Sequence, residues 1–287
     1  MSGVVEWLVP GAPPGRAIAL RILVGAFGTM YLLVRFTYFA GLARHAPTDF
    51  APVGIVSVLD APLPASAVFA LAALGLAAGL AFTLGRRLAV TGPFFLALLA
   101  WNTSYASSWG KILHSENVLV LHLAVVVLAG PRPDARAAGW ALRAASIATA
   151  LTYLLAGVTK LRSGGSGWLT GQALGDWLAW DALRKIELGS VHSPLAAIVA
   201  SSPRILQLLA LYTLVVELGA PVALANARLA RRWALAAWFF HVGIALTMAI
   251  AFVYPLAGVA FAPLFEIERL PVLRRLVASQ QAAAARP

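Results

Sequence analysis

TALTYLLAGVTKL (149–161) is a helix-length apolar run that ends in one of only three lysines in the chain. An ionisable group at membrane depth costs roughly 2.5–3.5 kcal/mol on insertion scales, so Lys160 is a functional candidate by default. An amine desolvated by apolar neighbours loses proton affinity and becomes suited to act as a base near neutral pH. The alternative is a snorkelling lysine whose ammonium reaches the headgroups. Tyr153, Ala156, Gly157 and Lys160 recur at helical spacing on one face, and the small pair admits a close neighbour or a flat ligand.

Composition places the run in its context. The chain is 61% hydrophobic and 11% charged, against about 25% charged in a soluble domain. Apolar runs predict an all-α, polytopic membrane bundle of about eight transmembrane helices, near 16–41, 66–84, 88–106, 117–130, 139–161, 203–225, 233–251 and 254–266. Residues 233–265 are open between two short helices broken near Pro255 and one span plus a re-entrant piece. A single integral membrane domain is expected over 1–287, with the bundle at 16–266 and a short cytoplasmic tail at 267–287. The N-terminus MSGVVEWLVPGAPPGR lacks a basic n-region, and no cleaved signal peptide is expected.

The net charge of +11 could signal nucleic acid, but the basic residues fall in short clusters between apolar runs: GRR (85–87), PRPDAR (131–136), NARLARR (226–232) and ERLPVLRR (268–275). This is the positive-inside pattern, and it predicts a cytoplasmic-membrane protein with both termini cytoplasmic. Lys160 then falls at the outer end of its helix. The long connections are on the outer face. In the longest, WLTGQALGDWLAWDALRKIELGS (168–190) mixes tryptophans with charges and reads as an amphipathic helix lying in the interface.

Other candidates follow from the cost of polarity in lipid. His241 lies mid-helix in WFFHVGIALTM, either bound to a neighbouring helix or serving as a proton relay or ligand contact. Arg21 and Glu217 fall at like depth and are expected to form a structural ion pair, with a proton pathway as the alternative. Arg35 either snorkels or faces the site that holds Lys160. Trp101 and Asn102 stand in AWNTSYASSW (100–109), where an amide needs a partner. The absence of cysteine excludes disulfides and thiolate chemistry. His114 and His122 show no metal-ligand spacing, and no metal is expected.

YLLAGVTKL with WLTG (153–161, 168–171), WFFHVGIAL with its following PLF (238–265), and WNTSY (101–105) resemble the vitamin K-dependent gamma-carboxylase and its bacterial relatives with the horizontally transferred transmembrane (HTTM) domain. The likeness covers roughly 16–266. It implies an isoprenoid hydroquinone as cofactor, Lys160 as the base that deprotonates it, and His241 lining or supporting the quinone pocket. Tyr153, Gly157, Trp101, Asn102, Arg35 and His114 are the further candidates to line it. Thr103 or Ser104 stands where the family has a histidine, and the family's lumenal peptide-binding domain has no counterpart in 267–287. The expected activity is therefore hydroquinone oxidation, lyase- or oxidase-like, coupled to modification of an unknown substrate, with a secreted peptide as a possible partner. The rival readings are a non-catalytic membrane partner or maturation factor for a secreted protein and, less favoured, a transporter.

Overall fold

The computed structural model describes residues 2–110 and 116–284, and all regular structure among them is helical. Three helices are long and apolar enough to cross a membrane: Pro14–Val34, Ala65–Thr83 and Ala135–Gly164. That is the mark of a membrane protein. The chain divides into two compact units, one of Met1–Ala145 with Glu266–Pro287, the other of Ser146–Phe265.

The first unit contains α1 (Ser2–Leu8), α2 (Pro14–Val34), α3 (Phe36–Gly41), α4 (Ala65–Thr83), α5 (Leu88–Ser107), α6 (Asn117–Leu128) and the start of α7 (Ala135–Gly164). Pro14 opens α2, where the missing N–H of proline is harmless. The expected span 16–41 is broken at Arg35, which leaves helical geometry (φ −94°, ψ 9°) between α2 and α3. Small residues let α2, α4 and α5 approach closely. A Cβ on Gly28 would lie 2.9 Å from Phe95, and one on Gly75 would lie 3.0 Å from Leu32. Phe82, Phe95, Leu20 and Leu99 fill the resulting core. Within the stretch expected as a tail, Pro271–Ala284 forms α14. Arg16 grips Glu268 with three hydrogen bonds of 2.7–3.0 Å just before it. Gln280 accepts a hydrogen bond from Arg21 and donates to the Thr83 carbonyl.

The second unit takes the rest of α7, then α8 (Gly167–Thr170), α9 (Gln172–Glu187), α10 (Leu195–Ala200), α11 (Pro203–Leu218), α12 (Ala227–Met248) and α13 (Val253–Leu256). At Gly171 the backbone is left-handed (φ 86°), and a Cβ would lie 2.5 Å from the Gln207 nitrogen, so only glycine lets α8 lie against α11. Asn226 caps α12 by accepting from the Arg228 and Leu229 N–H groups. The helix ends at Ala249, left-handed at φ 50°. Lys185 of α9 donates to the last helical carbonyl, that of Met248, which satisfies one of the groups a helix end leaves open. Beyond it, the expected helix 254–266 does not form as one piece. Pro255, Gly258 (φ 75°) and Pro263 divide it into α13 and a 3-10 turn at Val259–Leu264. The question left open for 233–265 resolves as one long helix followed by broken short segments.

Candidate functional site

The site is built on one stripe of α7. Lys160 lies one turn before the end of the helix, and its Nζ stands 2.6 Å from Glu217 Oε1. The Glu217 side chain is 3% exposed and that of Lys160 26%, so the ammonium is the reachable half of the pair. The Trp168 ring covers the ammonium at 5.4 Å, a favourable cation–π position. About two turns back, the Tyr153 hydroxyl lies 2.6 Å from His241 Nε2. Aromatic rings enclose this second pair. Trp233 packs edge-on to Tyr153 at 5.0 Å, and Phe252 lies 5.2 Å from His241. The Trp233 indole donates to the Val216 carbonyl and so joins α12 to the same turn of α11 that carries Glu217.

The expected Arg21–Glu217 pair is therefore corrected. Glu217 takes Lys160, while Arg21 donates to the Phe82 carbonyl at 2.6 Å and to Gln280. The expectation placed Glu217 by counting from the start of its helix. The structure staggers the two helices: Gln207 of α11 donates to the Leu169 carbonyl, beyond the end of α7. Ten residues at about 1.5 Å each then bring Glu217 down to the level of Lys160.

Gly157 is also reassigned. A Cβ there would lie 2.9 Å from Leu218 and 3.0 Å from Glu217, so the space it leaves admits α11 and not a flat ligand. Tyr153, Lys160 and His241 come together with Glu217 in the second unit. Trp101, Asn102 and Arg35 belong to the first. There, the Asn102 amide donates to the Leu98 carbonyl at 2.8 Å and the Leu71 carbonyl at 3.4 Å, tying α5 to α4. Arg35 lies 3.7 Å from Glu116 and stacks over Tyr31 at 5.1 Å. The Trp101 indole nitrogen is buried with no hydrogen-bond partner among the described residues. His114 lies outside the described residues. No group of three metal-binding side chains occurs among them.

Two buried polar atoms of the cluster are unfilled among the described residues: Glu217 Oε2 and His241 Nδ1. If the Tyr153 hydroxyl donates to Nε2, then Nδ1 carries the imidazole proton and is an open donor. Glu217 Oε2 is an open acceptor. In an apolar surrounding such atoms are costly and call for a partner. The sequence singled out Glu217 but concealed its partner, Lys160. Glu217 is the only acid in the apolar α11 segment PRILQLLALYTLVVEL, and that isolation was its one signal.

No protein-family model, curated protein or solved structure matches this chain.

Proposed function

We propose that the chain is a membrane-embedded enzyme of the gamma-carboxylase-like HTTM kind, which binds an isoprenoid hydroquinone and deprotonates it with the Lys160–Glu217 pair. The observation that carries this reading is the 2.6 Å contact between the accessible Lys160 amine and a buried carboxylate with one unfilled oxygen. A bound hydroquinone supplies two acidic hydroxyls and two electrons, which pass to oxygen. An open acceptor on Glu217 and an open imidazole nitrogen on His241 fit a ligand with hydroxyls at its ends.

The chain's own residues then divide the work. Lys160 passes a proton to Glu217 and stands as a neutral amine without releasing charge to lipid. With a hydroquinone bound, the Lys160 amine would take a hydroxyl proton, and the pair would then hold one proton more than before. Tyr153 orients His241, and Trp233, Phe252 and Phe261 keep water from the region. The membrane frame belongs to the same reading: eight crossings, the last made by the broken segments after α12, both termini cytoplasmic, Lys160 toward the outer leaflet of the cytoplasmic membrane. In it, α9 lies in the interface, with Trp177 and Trp180 exposed toward the headgroups.

The test is oxygen consumption by purified protein with a reduced menaquinone analogue. Wild type should turn over, and Lys160→Arg should fold with unchanged melting temperature yet be inactive, since arginine keeps its proton. Turnover by Lys160→Arg at the wild-type rate would overturn the base assignment. A purely structural pair predicts no turnover by any form.

A further inference from the structure

We infer that the first unit carries a binding site for a phosphate-bearing anion, the headgroup of an anionic phospholipid, in the cavity lined by Arg21, Arg87 and Arg132. The cavity has a volume of about 790 Å³ and brings together three guanidinium-bearing residues with no acid among the described residues that line it. Arg21 is the residue that needs explaining. It is 5% exposed, and its contacts are the neutral Phe82 carbonyl and Gln280. No described carboxylate lies within ion-pair distance of it. A buried cation without a counter-charge is expensive, and an anion delivered from outside removes that cost.

The cavity also suits an anion in detail. Leu88 and Ala89 line it at the start of α5, a helix of 20 residues whose N-terminus has no side-chain cap. Its open N–H groups and dipole favour negative charge. Arg87, the residue before that helix, has a left-handed backbone at φ 46°. Arginine presents a planar fork to phosphate oxygens.

Lipid is favoured over a soluble phosphate by what adjoins the cavity. A second space of about 240 Å³ shares Arg21, Leu88, Ala89 and Pro131 with the first and continues past Phe82, Pro93, Val126 and Val127. Those walls offer nothing to a soluble ester and suit an acyl chain. Basic pockets between membrane helices are the usual receptacle for such headgroups.

The test is native mass spectrometry of the purified full chain titrated with dioleoyl phosphatidylglycerol, dioleoyl phosphatidylcholine and glycerol phosphate. Phosphatidylglycerol should be retained in preference to phosphatidylcholine, and glycerol phosphate should not compete at equal concentration. Arg87→Asn with Arg132→Gln should weaken phosphatidylglycerol binding by about tenfold, or ~1.4 kcal/mol. Asparagine is chosen because it tolerates the left-handed backbone. Arg228→Gln with Arg231→Gln, which removes equal charge in the other unit, should leave binding unchanged. Should the double variant fail to fold, Arg132→Gln alone, in an exposed turn, carries the test. Undiminished binding in the cavity variants would overturn the site. Equal, arginine-dependent binding of glycerol phosphate would overturn the lipid and assign the cavity to soluble phosphate esters.

Discussion

Lys160 reaches Glu217 across 2.6 Å, and the two differ in their access to the surroundings: the lysine side chain is about a quarter exposed and the carboxylate almost wholly buried. Removing either partner is therefore not equivalent. Without Glu217 the ammonium can reorient toward the surface. Without Lys160 the carboxylate is stranded.

Lys160→Met should lower stability by about 2–3 kcal/mol, below the about 3–5 kcal/mol expected for a fully buried pair because of that partial exposure. Glu217→Gln should cost less. The double substitution Lys160→Met/Glu217→Gln should recover part of the loss. Thermal melting in detergent measures all three, and strictly additive effects would show that the contact carries no coupling.

Tyr153→Phe keeps the ring that packs on Trp233 and Phe261 but deletes the hydroxyl that meets His241. The expected cost is about 1–2 kcal/mol, that of a buried imidazole left short of a partner. Tyr153→Ala should cost about 3–5 kcal/mol through the cavity it opens. Equal melting temperatures for the two variants would show that the ring contributes nothing beyond the hydroxyl.

The Arg16–Glu268 contact predicts an acid-sensitive element. Burial alone would raise the Glu268 pKa, but the Arg16 hydrogen bonds and the charges of Arg16 and Arg269 hold it below the ordinary carboxylate range. A depressed folded-state value means that the contribution is complete above the unfolded value, about 4.3, and is lost as the pH falls through the folded one. The melting-temperature difference between wild type and Glu268→Gln should be constant from about pH 7 to 5 and should shrink as the pH falls below the ordinary carboxylate range, about 4.3. A difference that grows on acidification would reverse the assignment.

Orientation is testable with single cysteines, since none is native. The structure selects the positions. Gly165 has φ 50° and would strain any side chain, whereas Ser166 beside it is exposed. Ala230 is buried, whereas Ala227 at the start of α12 is exposed. Ser166→Cys should react with an impermeant thiol reagent in intact cells, and Ala227→Cys should react only after permeabilisation. The reverse pattern would invert the topology.

The helical class and most helix positions were legible because apolar runs and loop charges report burial in lipid directly. Lys160 and His241 stood out for the same reason. Their partners did not. The Lys160–Glu217 contact joins residues 57 positions apart, and the Tyr153–His241 contact 88. Helix stagger, which pattern alone does not encode, decides both. Gly157 carried two readings in the sequence, because a small residue signals close approach without saying whether a helix or a ligand approaches, and packing against α11 decides for the helix. Lys185 falls in the stretch that the sequence marks as an interfacial amphipathic helix, with no sign of a particular partner. Its burial over the Met248 carbonyl depends on where α12 ends, which the left-handed Ala249 sets.

Tyr153 and Lys160 are separated by about 10 Å along α7, and each is fastened to a different neighbour, one to His241 on α12 and one to Glu217 on α11. The helix is thereby pinned against torsion at two levels. Turning it by a single residue, about 100°, would pull both side chains off their partners in one stroke. Release of the ammonium by rotation and release of the imidazole are then the same mechanical event, and a strain applied at either end of the stripe is felt at the other.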